Sequence, residues 1–319
     1  MTRLISFLAH AVYMGTPLLF GTVGEIQNEK AGHLNLGVEG TMAMGACAGF
    51  MVAYKTGSLW LSILAAFLMG ALVSLIYAFL TITMMANQNV TGLTLTIFGT
   101  GLSNFIGEQM ISASPTGNLK LPDGVMSSLK NIDIPLLSKI PVLGEVLFSQ
   151  NIFTYLSIVI AVIMFIYLKK TKVGLSLRTI GENPAVADAV GISVVKYKYI
   201  NVLIGGGICG IGGAFCSMVI NGGVWMANSV NGLGWIAVAL VIFAVWNPAR
   251  AIYGAYIFGA FMVLKYYFPK NLGFTVPESF FDMLPYLVTA LVLIITSVKK
   301  SRERSQPQSC GINYFREER

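Results

Sequence analysis

Residues 199–249 decide the fold class: they read YINVLIGGGICGIGGAFCSMVINGGVWMANSVNGLGWIAVALVIFAVWNPA and contain no Asp, Glu, Lys or Arg. A second run without charged residues covers 56–107. One helix crosses the ~30 Å hydrocarbon core with about 20 residues, so each run has room for two crossings. Only 11% of the 319 residues are charged, against about 25% in soluble domains. The sequence therefore predicts an all-α, polytopic membrane helix bundle, and the long apolar runs disfavour a β-barrel.

Hydropathy predicts about nine crossings. The third is long enough to tilt or to extend past the bilayer. The fourth contains several glycines and polar residues, which favour a broken helix. The predicted crossings are 4–23, 37–54, 59–85, 90–108, 151–168, 199–221, 233–247, 251–268 and 282–298.

Basic residues predict which side of the membrane each loop faces. The loop 169–198 and the segment 299–319 are rich in Lys and Arg and are expected in the cytoplasm. Counting crossings from these anchors places 14 of the 21 basic residues inside, with the amino terminus outside and the carboxyl terminus inside. Residues 1–298 then form the transmembrane domain. Its external loop, 109–150, is either a structural cap or a contact for an external partner. The segment 299–319 is a basic cytoplasmic tail, expected to be disordered from 301 onward.

Several classes of protein are disfavoured by what the sequence lacks. No Walker A sequence, His-Glu-x-x-His motif or nucleophile elbow occurs. Gly205, Gly207 and Gly210 match the dinucleotide-binding spacing, but they lie in an apolar span, where small residues are typical of close helix packing. The four cysteines show no disulfide or metal-ligand spacing. No signal-peptide cleavage pattern follows the first apolar run. The basic residues lie between spans, so the net charge of +7 does not indicate nucleic-acid binding.

The segment 24–40, GEIQNEKAGHLNLGVEG, carries polar residues into the second span. It is expected to begin as a cytoplasmic turn. A carboxylate at bilayer depth costs about 2.5–3.5 kcal/mol on insertion scales, so Glu39 needs a cavity or a partner. Three interpretations stay open. Glu39 caps a helix amino terminus near the cytoplasmic interface, or it lines a polar path through the membrane together with Asn35, or it forms a salt bridge.

Neutral amides form a second candidate set along such a path. Because amides both donate and accept hydrogen bonds, they suit a neutral polyhydroxylated or heterocyclic solute. A tryptophan in the set would stack on a ring or simply anchor the interface. The alternative for each residue is an ordinary turn. The set consists of Asn87, Gln88, Asn104, Asn221 and Trp235, with Asn228 and Asn231 as neighbours.

A short helix is predicted in the cytoplasmic loop 169–198, within the sequence GLSLRTIGENPAVADAVGI that begins at residue 174. Asn183 is a good N-cap, Pro184 fits the first helical position, and Gly191 fits a left-handed stop. About two turns lie between them, which is too short to be stable alone. The helix therefore needs support from the bundle or from a soluble partner. A loop helix in this position is how a membrane subunit could receive force from an ATPase.

The sequence resembles the permease subunits of ABC importers for nucleosides and simple sugars, within the branched-chain amino acid and ribose permease superfamily. Four segments carry the resemblance: 24–45 (GEIQNEKAGHLNLGVEGTMAMG), 87–92 (NQNVTG), 174–192 and 234–258. The first segment departs from the family pattern, because Lys-Ala-Gly-His stands at 30–33 where Arg-Ala-Gly-Val is usual.

The resemblance implies a coupling helix at 184–190 that docks in a cleft of the ATPase. It further implies a second permease chain, a cytoplasmic double-domain ATPase that binds ATP and Mg, and an external solute-binding lipoprotein. The chain itself would hold no cofactor or metal and would catalyse no reaction. Its place would be the bacterial cytoplasmic (inner) membrane. The residues to which ATPase coupling is assigned are Arg178, Glu182, Asn183, Pro184, Asp188 and Gly191.

The function implied is inward movement of a neutral polar solute by alternating access, with a nucleoside as the first choice. One alternative is a permease of the same kind for a simple, ribose-like sugar. Another is a secondary transporter acting alone, with ion coupling through Glu25, Glu39 or Lys265. An intramembrane enzyme or a scaffold is disfavoured, because the sequence shows no paired carboxylates, metal ligands or nucleophile constellation.

Overall fold

The computed structural model of the chain describes residues 2–114, 117–133, 135, 138, 140–267, 277–298 and 305–316. Helices dominate these residues, and a short antiparallel pair of strands lies between the fourth and seventh helices. In chain order the elements are α1 (Thr2–Lys30), α2 (Val38–Thr56), α3 (Leu59–Ala78, continued by a π-helical turn at Phe79–Thr83), α4 (Gln88–Ala113), α5 (Asp123–Ser128), β1 (Ile132–Asp133), α6 (Leu143–Leu147), β2 (Ser149–Gln150), α7 (Ile152–Lys170), α8 (Lys172–Glu182), α9 (Pro184–Ala189), α10 (Val194–Phe215, continued by a π-helical turn at Cys216–Ile220), α11 (Leu233–Phe243), α12 (Pro248–Tyr267) and α13 (Glu278–Val298).

Each of the nine predicted crossings overlaps one helix of the bundle: α1 to α4, α7 and α10 to α13. Within the described residues, four helical segments are long and apolar enough by themselves to cross a membrane. They are Arg3–Lys30, Leu59–Thr83, Ile152–Lys170 and Val194–Ile220. The chain is therefore an integral membrane protein of helical fold, and the total of nine crossings stays a prediction.

The predicted turn after residue 23 is wrong, because α1 continues as a helix to Lys30. Its last two turns are buried together with their acidic side chains. Glu25 accepts hydrogen bonds from the Asn35 backbone N–H and the Asn28 amide. Glu29 accepts one from the Trp246 indole N–H. These hydrogen bonds satisfy the two buried carboxylates. Without such partners, burying two acidic side chains would disfavour continuing the helix here.

The predicted break in the fourth span is also wrong, because α4 is continuous. Three of its threonine hydroxyls donate to carbonyl oxygens one turn back, as Thr100 does to Thr96 at 2.8 Å, so these polar groups are satisfied inside the helix. Its glycines serve close packing instead. A Cβ at Gly99 would lie 2.6 Å from the Gly40 carbonyl oxygen of α2.

The glycine run of α10 packs closely against other helices, as predicted, and the structure identifies these helices as α2 and α3. A Cβ on Gly210 would collide with the Ala66 carbonyl oxygen of α3, and one on Gly213 with the Met42 carbonyl oxygen of α2. Small residues thus bring three backbones into contact, which is the typical way to pack helices in lipid. The three buried cysteines lie in α2 and α10 and form no disulfide.

The short α11 has only 11 residues, about 16 Å of helix, and is shorter than the predicted span 233–247. It ends because residues 244–247 form a turn in which Val245 and Trp246 have positive φ. α12 then begins at Pro248, where the Asn247 side chain accepts a hydrogen bond from the Ala249 N–H. At its other end, the amino terminus of α11 lies inside the bundle, against Glu39 of α2.

The predicted external loop packs as a cap onto the connection between α10 and α11. The Leu121 N–H donates to the Gly223 carbonyl at 2.8 Å, and the Trp225 N–H donates to the Leu119 carbonyl at 3.0 Å. Leu119 and Leu121 are buried in the main apolar core. The structural-cap interpretation is supported by this packing, and contact with an external partner stays a prediction.

The tail contradicts the prediction of disorder over residues 305–316, which pack against the end of the bundle predicted to be cytoplasmic. Ser309 is buried and its hydroxyl bonds the carbonyl oxygens of Ile180 and Gly181. Composition alone does not show this order, because the tail has few apolar residues and is held by hydrogen bonds to distant loops. Residues 299–304 and 317–319 lie outside the described residues.

Candidate functional site

A polar cavity of ≈ 220 Å³ lies between α2, α4 and the connection from α10 to α11. Two of the predicted path residues, Glu39 and Asn104, line it. The other lining residues are Ala43, Thr100, Ser103, Asn228, Ser229, Val230, Asn231 and Gly232.

Glu39 caps the amino terminus of α11 across the bundle. One carboxylate oxygen accepts the Gly232 N–H and the other accepts the Gly234 N–H, both at 2.7 Å. Free N–H groups and the helix dipole make this end of a helix favourable for a negative charge. The cap interpretation of Glu39 is thus correct in kind, but the capped helix is α11 rather than one at the cytoplasmic interface. In the described residues its oxygens bind backbone N–H groups, and no salt bridge of Glu39 is seen.

The cavity lies near the middle of α4 along its axis. Gly40 packs against the backbone of Leu95 and Thr96, and Gly99 packs against Gly40. Residue 99 is about 16 Å from the start of α4, which is about 39 Å long. The predicted crossing 90–108 is centred on residue 99, so the packing against α4 places Glu39 deeper than its position at the start of the predicted crossing 37–54 indicates.

Asn104 and Asn228 form a reciprocal amide contact at the cavity. The Asn104 side chain donates to the Asn228 side-chain oxygen at 2.8 Å and accepts from the Asn228 N–H at 2.9 Å. Asn221 donates to the Ser229 hydroxyl in the same connection at 3.1 Å. These bonds hold the connection in an irregular conformation, in which Asn228 and Asn231 have positive φ.

The remaining predicted path residues do not line the cavity. Asn35 is buried, and its side chain accepts the Gly37 N–H. Asn87 is the N-cap of α4, and Gln88 accepts the Leu34 N–H. Trp235, half-buried in the first turn of α11, follows the capped Gly234. The structure therefore assigns local structural roles to Asn35, Asn87 and Gln88.

The hydroxyl groups of the cavity, on Thr100 and Ser103, were not among the residues predicted from the sequence. Thr96, Thr100 and Ser103 recur at helical spacing and place hydroxyls on the α4 face that meets α2. Ser103 donates to the Ala43 carbonyl at 2.9 Å, so its lone pairs remain free to accept. The spacing of these residues with Asn104 was the signal that could have found them.

The predicted short helix in the loop 169–198 is confirmed as α9. The Asn183 side chain accepts the Val186 N–H at 3.2 Å, Pro184 is the first helical residue, and Gly191 has φ +82°. The sequence did not predict α8, which precedes α9 and begins with Thr171 as its N-cap. α8 buries Leu177 and supports α9.

The six predicted coupling residues lie close together in sequence but differ in environment. Glu182 and Asn183 are exposed, and Asp188 is half-buried under the tail. The Arg178 Nε is buried and has no hydrogen-bond partner in the parts of the chain that are described. The outer face of α9 is apolar, with Val186 52% exposed and Val190, just beyond its end, 69% exposed.

His33, the family departure, is fully buried where α1 leads into α2, and its ring lies edge-on to Tyr77. Neither ring nitrogen has a hydrogen-bond partner among the described residues. Burial, together with the nearby Lys198 charge, lowers the pKa of His33 well below its usual value. This lowered pKa disfavours the charged imidazolium form, so His33 fills space at this junction rather than carrying charge.

Comparison with known proteins identifies the family. The family described as "Branched-chain amino acid transport system / permease component" matches residues 7–295. The chain belongs to this family. It is therefore a transport component of the membrane rather than an enzyme. No group of three His, Cys, Asp or Glu side chains that could hold a metal ion occurs in the described ranges.

Three relatives are similar over most of their length. Nucleoside ABC transporter permease protein NupC of Lactococcus lactis is 33% identical, and the aligned region covers 97% of this chain and 96% of NupC. Guanosine ABC transporter permease protein NupQ of Bacillus subtilis is 33% identical, covering 91% and 92%. TsgC13 of Haloferax volcanii, whose name ascribes it to a glucose ABC transporter, is 37% identical, covering 80% and 75%.

Proposed function

We propose that this chain is the membrane-spanning permease subunit of an ATP-driven importer for nucleosides. The observation that carries the proposal is the polar cavity of ≈ 220 Å³ near the middle of α4. It is smaller than the ~300–1,000 Å³ pockets of drug-sized ligands, which suits a small polar solute. The nucleoside assignment is supported by the two relatives named for nucleosides, which match nearly their whole length.

The chemistry of the cavity wall favours a neutral solute that donates hydrogen bonds. Among the described residues that line it, Glu39 is charged and none is Lys, Arg or His. The Thr100 and Ser103 protons are already donated to backbone carbonyls, so these hydroxyls offer lone pairs to the cavity. Sugar hydroxyls and base N–H groups satisfy such acceptors, whereas a phosphate would be repelled by the carboxylate.

The energy for transport comes from ATP on a partner chain. α9 is built as a short, supported helix with an exposed apolar face, which fits a cleft of a cytoplasmic ATPase. ATP binding would bias the bundle between two arrangements by pressing on α9. ATP and Mg would bind the ATPase and not this chain.

The complete importer would contain a second permease chain, so that the path runs between two bundles, and an external solute-binding lipoprotein. It would lie in a bacterial cytoplasmic membrane with the amino terminus of this chain outside and the carboxyl terminus inside. Two proteins should then be encoded beside it: an ATPase with two nucleotide sites and the lipoprotein.

The proposal is tested by reconstituting the complete transporter in proteoliposomes. Labelled guanosine should enter only when ATP is supplied to the ATPase, and unlabelled glucose should not compete. Competition by glucose but not by guanosine would favour the second candidate, a sugar permease. The relative named for glucose supports this second candidate. Uptake driven by an ion gradient without the ATPase would overturn the proposal in favour of an independent secondary transporter.

A further inference from the structure

The ordered part of the tail, residues 305–316, crosses three separate segments at the predicted cytoplasmic end; we name it the strap. Its first anchor is the end of α8. The Ser309 N–H and hydroxyl both bond the Gly181 carbonyl, at 2.9 and 2.6 Å. The last carbonyls of a helix lack partners within the helix, so the strap satisfies groups that need one.

The second anchor is the turn that leads into α4. The Asn313 side chain donates to the carbonyl oxygens of Met85 and Ala86, at 2.6 and 3.2 Å. Its oxygen accepts from the Gln88 amide at 3.3 Å. Gln88 is the first residue of α4, so Asn313 holds the foot of that helix.

The third anchor is α9. The Tyr314 hydroxyl donates to the Asp188 carboxylate at 2.9 Å, and the Arg316 Nε lies 3.2 Å from the same oxygen. Tyr314 also packs on the small apolar cluster of Ile180, Ala187 and Val194. The Arg316 side chain is 77% exposed, so water screens its ion pair and the tyrosine contact matters more.

The strap therefore connects α9 with the helix that lines the cavity. Asn313 and Tyr314 are adjacent residues, one bonded at the foot of α4 and the other bonded to α9. α4 then runs from Gln88 to Asn104, about 24 Å, as one continuous helix. α9 itself packs mainly on its sequence neighbours α8 and α10.

We infer that the strap is a coupling element, in which Asn313 and Tyr314 are positioning residues that transmit displacement of α9 to α4. The inference rests on the proposed function. It gives a reason why a polar tail is ordered at the predicted cytoplasmic end of the bundle. It also gives the tail a role in the transport cycle. A movement of α9 would pull on α4 through two adjacent residues, in addition to any path through α8 and α10.

The test uses the complete transporter in proteoliposomes and the double variant N313A/Y314F, which removes the side-chain bonds at both ends of the link. Gln308→Ala is the matched control, because Gln308 is an exposed strap residue with no hydrogen bond in the described structure. We expect the double variant to retain ATP hydrolysis while guanosine moved per ATP falls about five- to tenfold, within the usual range of coupling between sites. The control should behave like the parent.

Hydrogen–deuterium exchange on the same variants gives a readout independent of transport. The double variant should exchange faster both in 184–190 and at the first turn of α4, because the side-chain hydrogen bonds of Asn313 and Tyr314 no longer restrain these segments. Unchanged exchange in both segments would overturn the inference. So would a parallel loss of uptake and ATP hydrolysis, or an unchanged number of guanosine molecules moved per ATP hydrolysed. Failure of the parent to take up guanosine would instead overturn the proposed function.

Discussion

Glu39 and Gly232 are 193 positions apart, yet the Gly232 N–H donates to the Glu39 carboxylate over 2.7 Å. This bond connects the start of α2 with the start of α11 inside the bundle. It explains how a buried carboxylate is accommodated there, since the amino terminus of a helix is a favourable place for negative charge.

Removing this cap should destabilise the bundle. Glu39→Ala leaves the N–H groups of Gly232 and Gly234 unsatisfied, at a cost of about 1–3 kcal/mol. Glu39→Gln keeps one acceptor and should cost less. Thermal unfolding in detergent measures the difference. Glu108→Gln, at an exposed position of α4, is the control and should leave the transition unchanged. Equal effects of Glu39→Ala and Glu108→Gln would contradict the cap.

Alanine substitutions at two glycines distinguish an effect on helix packing from an effect on helix propensity. Gly210→Ala places a methyl group against the Ala66 carbonyl and should destabilise the bundle by about 1–3 kcal/mol. Gly101→Ala meets nothing within 4 Å and should be neutral or slightly stabilising, because Ala is the better helix former. Thermal unfolding of both variants provides the measurement, and a stable Gly210→Ala protein would refute close packing there.

Cys310 in the strap should react slowly with maleimide. Burial, and then the negative charge of Glu29, raise the pKa of the thiol above its usual value. The thiolate is the reactive form, so at pH 8 labelling should be at least about tenfold slower than for an ordinary exposed cysteine, and it should accelerate as pH rises. Gln308→Cys in a Cys310→Ser background supplies the exposed reference. Equal labelling rates would show that the Cys310 thiol is not buried between the strap and the bundle.

Two left-handed glycines at opposite ends of the bundle test the coupling role of α9. Gly191 ends the α9 region with φ +82°, and Gly57 ends α2 with φ +66°. A Cβ added at either glycine would have no atom within 4 Å. Substitution by Ala strains each backbone by about 1–2 kcal/mol. Gly191→Ala should lower ATP-linked guanosine uptake without loss of membrane insertion, and Asp188→Asn should act in the same direction.

Gly57→Ala should keep uptake at the parental level, because α2 ends there at the predicted external side. The comparison is made in proteoliposomes at matched protein content. Normal ATP-linked uptake by both α9 variants would remove α9 from the coupling path.

Much of the fold is predictable from local sequence. Apolar runs such as 199–249 have few alternatives to membrane helices. Asn183, Pro184 and Gly191 each act within one or two helical turns, and α9 lies where they predict it. The glycine run of α10 packs as expected, because small residues at this spacing have no better use in lipid.

The errors arose where distant segments determine local structure. α1 continues through Glu25 and Glu29 because Asn35 and Trp246 supply their hydrogen bonds. Sequence spacing gives no sign that Glu39 caps α11. The tail has the composition of a disordered segment, and its order depends on carbonyl groups left free by other elements. Polar side chains in membranes are therefore best assigned after the helices are placed.

Cysteine modification at the cavity tests whether the solute passes through it. Asn231 lines the cavity and is exposed, whereas the exposed Gln109 of α4 is not among its lining residues. A water-soluble methanethiosulfonate should abolish ATP-driven guanosine uptake by an Asn231→Cys transporter but not by Gln109→Cys, and guanosine should slow the modification at 231. Full uptake after complete modification at position 231 would contradict a solute path through this cavity.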